Sequence, residues 1–205
     1  MALDQRHALV LGSASPRRRE LLEQLGLRFV LLPSHIDEPD HAGEAPDAYA
    51  RALAELKTDA VVELCRQRTQ SGFVLGADTI VVVDDAILGK PRDDADALRM
   101  LLALQGRTHE VITAVCLRDA DAAHAARGRT LAVRTQVAFR ALTERDARAY
   151  VASGEGRDKA GSYAIQGIGA GLVRAVQGSY TNVVGLPVAE TLDLLLEAGV
   201  LGSFP

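Results

Sequence analysis

Cysteine is scarce in this chain of 205 residues: Cys65 and Cys116 are the only two. They have neither the paired spacing of a zinc site nor the density of a secreted disulfide scaffold, which points to a reducing, cytoplasmic setting. Long apolar runs are missing as well. No stretch reaches the roughly 18 apolar residues of a membrane span, so no anchoring or targeting segment and no membrane partner are expected. Excess positive charge is also absent. Lys and Arg total 23 against 27 Asp and Glu, giving a net charge of -4 and a pI near 5.7, a field that repels a polynucleotide backbone. Lysine itself is rare: apart from Lys57, Lys90 and Lys159, every one of the 23 basic residues is arginine. Chance is one reading, and a need for a compact ammonium at those three positions is the sharper one. What remains is ordinary globular material, 48% hydrophobic and 24% charged with a mean hydropathy of +0.06. At this length about 70% of the unfolded chain's surface can be buried, enough for a core without disulfides or a structural metal.

The apolar run Ala8 to Gly12 predicts a buried first strand, followed at once by a helix with Ser15 as cap, Pro16 at its first position and Gly26 as its stop. Arg28 to Leu32 predicts a second strand. After a polar loop from Pro33 to Pro46 comes a long alanine-rich helix, roughly Asp47 to Arg68, which carries Lys57. Phe73 to Val83 reads as a strand that pairs with Ile87 to Leu88 across an Asp84-Asp85-Ala86 turn. Asp93 to Leu104 is helical, and two long strand-like segments, His109 to Leu117 and Thr130 to Phe139, are expected to pair antiparallel. A short helix from Thr143 to Ala152 and a last one from Pro187 to Ala198 enclose a glycine-rich stretch. Asp119 to Arg129 has a linker-like composition. Strands alternating with helices make an α/β protein. The antiparallel candidates favour a mixed, partly antiparallel sheet flanked by helices, with two lobes around a cleft in one domain spanning 1–205.

Several familiar motifs fail. Gly89-Lys90-Pro91 lacks the following Ser/Thr and the upstream glycine of a phosphate-binding P-loop, because position 84 is Asp. Gly167, Gly169 and Gly171 have the wrong spacing for a dinucleotide fingerprint and no strand-to-helix junction around them. His109-Glu110 has no second histidine one turn on, and no serine sits in a nucleophile elbow.

Four segments keep a chemical reading. In Ser13-Ala14-Ser15-Pro16-Arg17-Arg18-Arg19, where a strand turns into a helix, free backbone N–H groups, the helix dipole and guanidinium forks converge, which suits an anion. Cations oppose the dipole there, so an external phosphate explains them better than solvated surface charge does. Asp78, in Ala77-Asp78-Thr79 within an apolar segment, is costly unless paired or used. With Lys90 twelve positions on, past a hairpin turn, it suggests a carboxylate base beside a phosphate-neutralising ammonium; a water-facing carboxylate is the plainer alternative. The stretch from Asp158 to Gly167 combines a charge pair, glycines and Gln166, whose amide donates and accepts at once, as a uracil or thymine edge requires. Alone, Gln166 is a weak signal. Gly178 to Pro187 reads better as a tight structural turn.

Taken together, Leu11-Gly12-Ser13-Ala14-Ser15-Pro16-Arg17-Arg18, Ile36-Asp37-Glu38, Gly76-Ala77-Asp78-Thr79, Gly89-Lys90-Pro91, His109-Glu110-Val111-Ile112-Thr113, Asp158 to Gly167 and Gly178 to Pro187 resemble the Maf family of nucleoside triphosphate pyrophosphatases nearly end to end. The form Asp-Lys-Ala-Gly-x-Tyr-x-Ile-Gln-Gly looks like the branch that acts on dTTP and UTP rather than the one that acts on 7-methyl-GTP. The resemblance implies a fold like that of the inosine triphosphate pyrophosphatases and hydrolysis to a nucleoside monophosphate and pyrophosphate. It implies Asp78 as proton acceptor and Arg17, Thr79 and Gln166 as specificity positions. Ser13, Arg18, Glu38, Lys57, Lys90 and Lys159 fall where the family places further polar and phosphate-contacting groups. A divalent cation, Mg²⁺ or Mn²⁺, held by Asp78 with the substrate phosphates, and a homodimer are implied too. Two departures stand out. Gly12 occupies the place where alanine is usual, and Arg51 is displaced by one position from the family pattern, about 100° around a helix. A non-catalytic nucleotide sensor tied to septum formation is the alternative. Such a sensor has no use for an unpaired Asp78 near the phosphates.

Overall fold

The computed structural model describes residues 3–39, 41–121 and 128–204. Most of the linker-like segment, residues 122–127, therefore lies outside the described residues. Those described form seven strands and six α-helices, with the sheet in the order β2-β1-β3-β5-β6-β7 and β4 paired to β3. The strands are β1 (Leu9–Leu11), β2 (Val30–Leu31), β3 (Phe73–Val83), β4 (Ala86–Leu88), β5 (Thr108–Asp119), β6 (Arg129–Phe139) and β7 (Val173–Gln177). The helices are α1 (Pro16–Gln24), α2 (Pro46–Gln67), α3 (Asp94–Leu104), α4 (Glu144–Ser153), α5 (Tyr180–Val184) and α6 (Val188–Glu197). The sheet is mixed as expected: β1 runs parallel to β2 and β3, while β3–β4 and β6–β7 are antiparallel. None of the described helices is long and apolar enough to cross a membrane.

Two compact units divide the chain. The first comprises residues 1–78, 114–132 and 185–205, the second residues 79–113 and 133–184. In the first unit the central strands are buried on both faces, as parallel strands covered by helices must be. Leu9, Leu11, Phe73 and Leu75 pack with Leu22 of α1 and Leu192 and Leu195 of α6. The alternate residues Val10 and Val74 pack with Val61, Val62 and Cys65 of α2. The period-2 alternation of strand side chains thus puts α1 and α6 on one face and α2 on the other.

The second unit has its own core. Val81, Val83, Val111 and Val137 pack there with Met100, Leu101 and Leu104 of α3 and with Ala147 and Tyr150 of α4. Thr143 and Asp146 form a reciprocal capping box at the start of α4. Asp93 caps α3 by accepting the Asp96 N–H.

Local differences from expectation have local causes. Ser15 occupies the cap position of α1 without a side-chain cap bond. Ser13 Oγ instead accepts the Ser15 N–H at 3.3 Å. The hairpin turn is one residue shorter than expected, because Asp84 and Asp85 both adopt positive φ, the conformation of a two-residue turn. The second strand shrinks to two residues. The glycine-rich stretch contains β7, α5 and a 3₁₀ turn, Gly167–Leu172, none of which periodicity singled out.

Candidate functional site

The chemistry-bearing residues of the first unit gather just past the end of β1 and at the middle of β3. β3 carries Asp78, only 7% exposed. Its Oδ1 accepts from Lys57 Nζ at 2.5 Å, and the same ammonium reaches Glu38 Oε1 at 2.8 Å. One lysine on α2 therefore bridges two carboxylates, one from the polar loop and one from the sheet. Asp78 Oδ2 has no hydrogen-bond partner among the described residues.

Gly76 explains how α2 comes close enough. A Cβ at Gly76 would stand 2.1 Å from Thr58 Oγ1, so only glycine lets β3 lie against the turn of α2 that bears Lys57. Thr58 is itself fully buried and fixed, its hydroxyl donating to the Ala54 carbonyl at 2.6 Å.

Arg18 ties the neighbouring segments together. Its guanidinium donates to Ser13 Oγ (3.0 Å), to the Ala77 carbonyl (2.8 Å) and to the Gly185 carbonyl (2.7 Å). Loss of solvent lowers its pKa, with the charge of Asp78 opposing that shift and the charge of Arg17 adding to it. Ser13 is buried beneath this contact. Arg17 is half-buried on the first turn of α1, whose leading N–H groups receive no cap from Ser15. Arg51, the displaced arginine, donates to the Thr130 carbonyl at 2.7 Å and so secures the start of β6.

In the second unit, Thr79 Oγ1 lies 2.9 Å from Thr113 Oγ1, and Thr113 donates to the Asn182 carbonyl at 2.9 Å. Asn182 is fully buried and donates to Thr135 Oγ1 and to the Val111 carbonyl. The Gly178 to Pro187 segment, expected to be a tight turn, instead contains the short helix α5, whose Asn182 carbonyl holds the Thr79 hydroxyl through Thr113. Lys90 follows β4 and is exposed, with no ion pair among the described residues. Lys159 is tied into its own loop, donating to Asp158 Oδ1 at 2.5 Å and to the Glu155 carbonyl at 2.6 Å. Gln166 is exposed on the loop that precedes the 3₁₀ turn.

Composition and spacing did not single out Thr58, Thr113, Asn182, Tyr150 or Glu155, all of which support the expected residues from behind. The only available signal was Glu155 standing among glycines just ahead of the Asp158-Lys159 pair.

Among the described residues no cluster of three or more His, Cys, Asp or Glu side chains forms a ready-made metal site. The donor set at Asp78 and Glu38 is nevertheless two carboxylates, the hard oxygens that Mg²⁺ or Mn²⁺ takes alongside substrate phosphates. The residues fit a cation that arrives with a nucleotide.

A family model described as Maf-like protein matches residues 8–198. The chain belongs to the Maf family. Among relatives of this Maf chain, one from Shewanella oneidensis, named dTTP/UTP pyrophosphatase, is 50% identical, covering 94% of this chain and 99% of its own length. A protein of the same name from Myxococcus xanthus is 50% identical over 94% of this chain and 93% of that one. Another from Geobacter sp. strain M21 is 48% identical over 96% and 98%. A solved dITP/XTP pyrophosphatase from Mycobacterium abscessus shares 15% identity at a TM-score of 0.39, over 64% of this chain and 74% of that one, too distant to inform the fold.

Proposed function

We propose that this Maf chain is a nucleoside triphosphate pyrophosphatase that hydrolyses dTTP and UTP to the nucleoside monophosphate and pyrophosphate. The observation that carries the reading is Asp78: a nearly buried carboxylate in the middle of β3 with one oxygen fixed by Lys57 and the other without a partner among the described residues, tied through the Ala77 carbonyl and Arg18 to the uncapped start of α1. The names of relatives at about half identity support the same activity and substrates.

In this mechanism the triphosphate is held by the α1 N–H groups, Arg17 and Lys57, which neutralise charge on the phosphoryl oxygens. Asp78 Oδ2 takes a proton from a water whose oxygen attacks the α-phosphorus. The bond from that phosphorus to the α–β bridging oxygen breaks, and its electrons leave with pyrophosphate. Lys57 holds Asp78 Oδ1 and so aims the carboxylate, and Glu38 keeps Lys57 in place. Arg18 acts by holding Ser13 and the Ala77 carbonyl, which fixes the backbone on either side of the reacting centre. Asp78 and Glu38 would hold a divalent cation, whose chemistry is to neutralise the triphosphate and the developing charge on the leaving group.

Gln166 reads the base. Its amide matches an N–H flanked by carbonyls, the edge that uracil and thymine share. Thr79, held through Thr113, is the second specificity group, and Lys159 stiffens the loop that carries Gln166. A single-domain organisation with a nucleotide cleft, a homodimer and a cytoplasmic location belong to the same proposal. The two free, buried cysteines support the last of these.

The test is incubation with a panel of nucleoside triphosphates and Mg²⁺ or Mn²⁺, separating pyrophosphate from phosphate. The expected products are NMP and pyrophosphate, formed fastest from dTTP or UTP. Asp78→Asn should lower kcat by ~10²–10⁴-fold, the usual worth of one general base, with nucleotide binding retained. Near-normal turnover of that variant refutes the assignment, and intact triphosphates despite binding point to a sensor.

A further inference from the structure

We propose that Tyr150 and Glu155 are positioning residues for base selection, a clasp that fixes the backbone on both sides of Gln166. The inference rests on the reading of Gln166 as the base reader and adds what aims it. Upstream of Gln166, the Ala164 N–H donates to the Tyr150 hydroxyl at 3.0 Å. That hydroxyl donates in turn to Glu155 Oε2 at 2.8 Å. Downstream, the Ile168 N–H donates to Glu155 Oε1 at 2.9 Å and the Gly169 N–H to Oε2 at 2.7 Å. The residue two before Gln166 and those two and three after it are therefore bound to one hydroxyl–carboxylate pair.

The loop is shaped around that carboxylate. Gly167 has a φ of +63°, and a Cβ there would sit 2.1 Å from Glu155 Oε1. Only glycine, in the left-handed region, brings the peptide after Gln166 so close to the clasp. The far side is rigid as well: the Tyr150 ring is 4% exposed in the core of its unit, and Lys159 holds the Glu155 carbonyl at 2.6 Å. Burial pushes the Glu155 carboxyl up, but the Tyr150 hydroxyl, the two amides and Lys159 outweigh it and leave the group below its ordinary range. The carboxylate is thus charged at neutral pH, when charge-assisted bonds to the two amides are strongest. Gln166 itself stays exposed. An exposed reading side chain on an otherwise immobilised loop is what selectivity by hydrogen-bond direction requires, because a shift of about 1 Å is enough to spoil such a bond.

The experiment compares kcat/KM for UTP and CTP in wild type, Gln166→Ala, Glu155→Gln, Tyr150→Phe and the double variant Gln166→Ala/Glu155→Gln, each below its own Tm. Tyr150→Phe keeps the buried ring and removes only the hydroxyl, which guards against loss of the fold. The proposal predicts that the UTP-to-CTP ratio falls by about tenfold or more in both clasp variants, as when a hydrogen-bonding reader is displaced. It also predicts that Glu155→Gln changes the ratio no further once Gln166 is alanine. A purely structural pair would lower both nucleotides by one factor and leave the ratio alone. That result, with Gln166→Ala lowering the ratio, overturns the clasp and spares the base reader. A ratio unchanged in Gln166→Ala overturns both.

Discussion

Replacing Gly76 with alanine would set a methyl group 2.1 Å from Thr58 Oγ1, where ordinary contact begins near 3.4 Å. Thr58 has nowhere to go, because its side chain is fully buried and hydrogen-bonded to the Ala54 carbonyl. β3 and α2 must therefore separate by roughly 1.3 Å, the difference between those two distances, or the strand must buckle. Overpacking of this kind costs about 1–3 kcal/mol. For a chain of this size, each kcal/mol lowers Tm by about 2–4 °C, so a fall of roughly 2–12 °C is expected in a thermal melt. The effect on turnover should be larger. Lys57 adjoins Thr58 on α2, so the same displacement withdraws the ammonium from Asp78, and misplacement by about 1 Å can cost ~10²-fold in rate. Thr58→Ala removes the clashing oxygen and leaves Thr58 Cβ, 3.2 Å from the new methyl, as the nearest contact. The double variant Gly76→Ala/Thr58→Ala should thus recover most of both losses. Wild-type Tm and kcat in Gly76→Ala, or no recovery in the double variant, would refute the reasoning.

Other consequences follow from the same geometry. His109 is 2% exposed, its Nδ1 has no hydrogen-bond partner among the described residues, and burial lowers its pKa from 6.5 to about 4. The unfolded chain then binds the extra proton first as pH falls. The stabilisation from neutral His109 is complete above about pH 6.5 and is lost towards pH 4, a loss of ~3 kcal/mol at 1.36 kcal/mol per pKa unit. Urea titrations between those pH values should show a flatter dependence for His109→Asn than for wild type, and equal slopes would contradict this. Arg18→Lys keeps the charge but loses the planar fork that serves Ser13, Ala77 and Gly185. It should cost about 1–3 kcal/mol in a denaturant midpoint and lower kcat more than it raises KM. A variant with wild-type stability would mean that Arg18 is not the tie it looks to be.

The sequence made some of this plain and concealed the rest for physical reasons. Buried parallel strands read as short apolar runs, so β1 and β3 were visible in Leu9–Leu11 and Phe73–Val83. Caps and stops marked α3, α4 and α6 to within a residue or two. β7 was hidden because Val-Arg-Ala-Val-Gln alternates only weakly and lies among glycines. Ser15 looked like a cap by type, yet Ser13 makes the bond to its N–H, a choice set by how tightly the chain turns after β1. At the site, residue types were legible and partners were not. Lys90 suggested itself as the ammonium for Asp78 because it follows a hairpin, whereas the ammonium bonded to Asp78 is Lys57, 21 positions earlier. That pairing depends on a helix approaching a strand over a single glycine. Periodicity carries no record of such an approach.

The central claim, attack by water on the α-phosphorus, is tested most directly by hydrolysing dTTP in ¹⁸O-enriched water and weighing the products. The account predicts one labelled oxygen in the nucleoside monophosphate and none in pyrophosphate. Label in pyrophosphate would place the attack on the β-phosphorus and contradict the role given to Asp78.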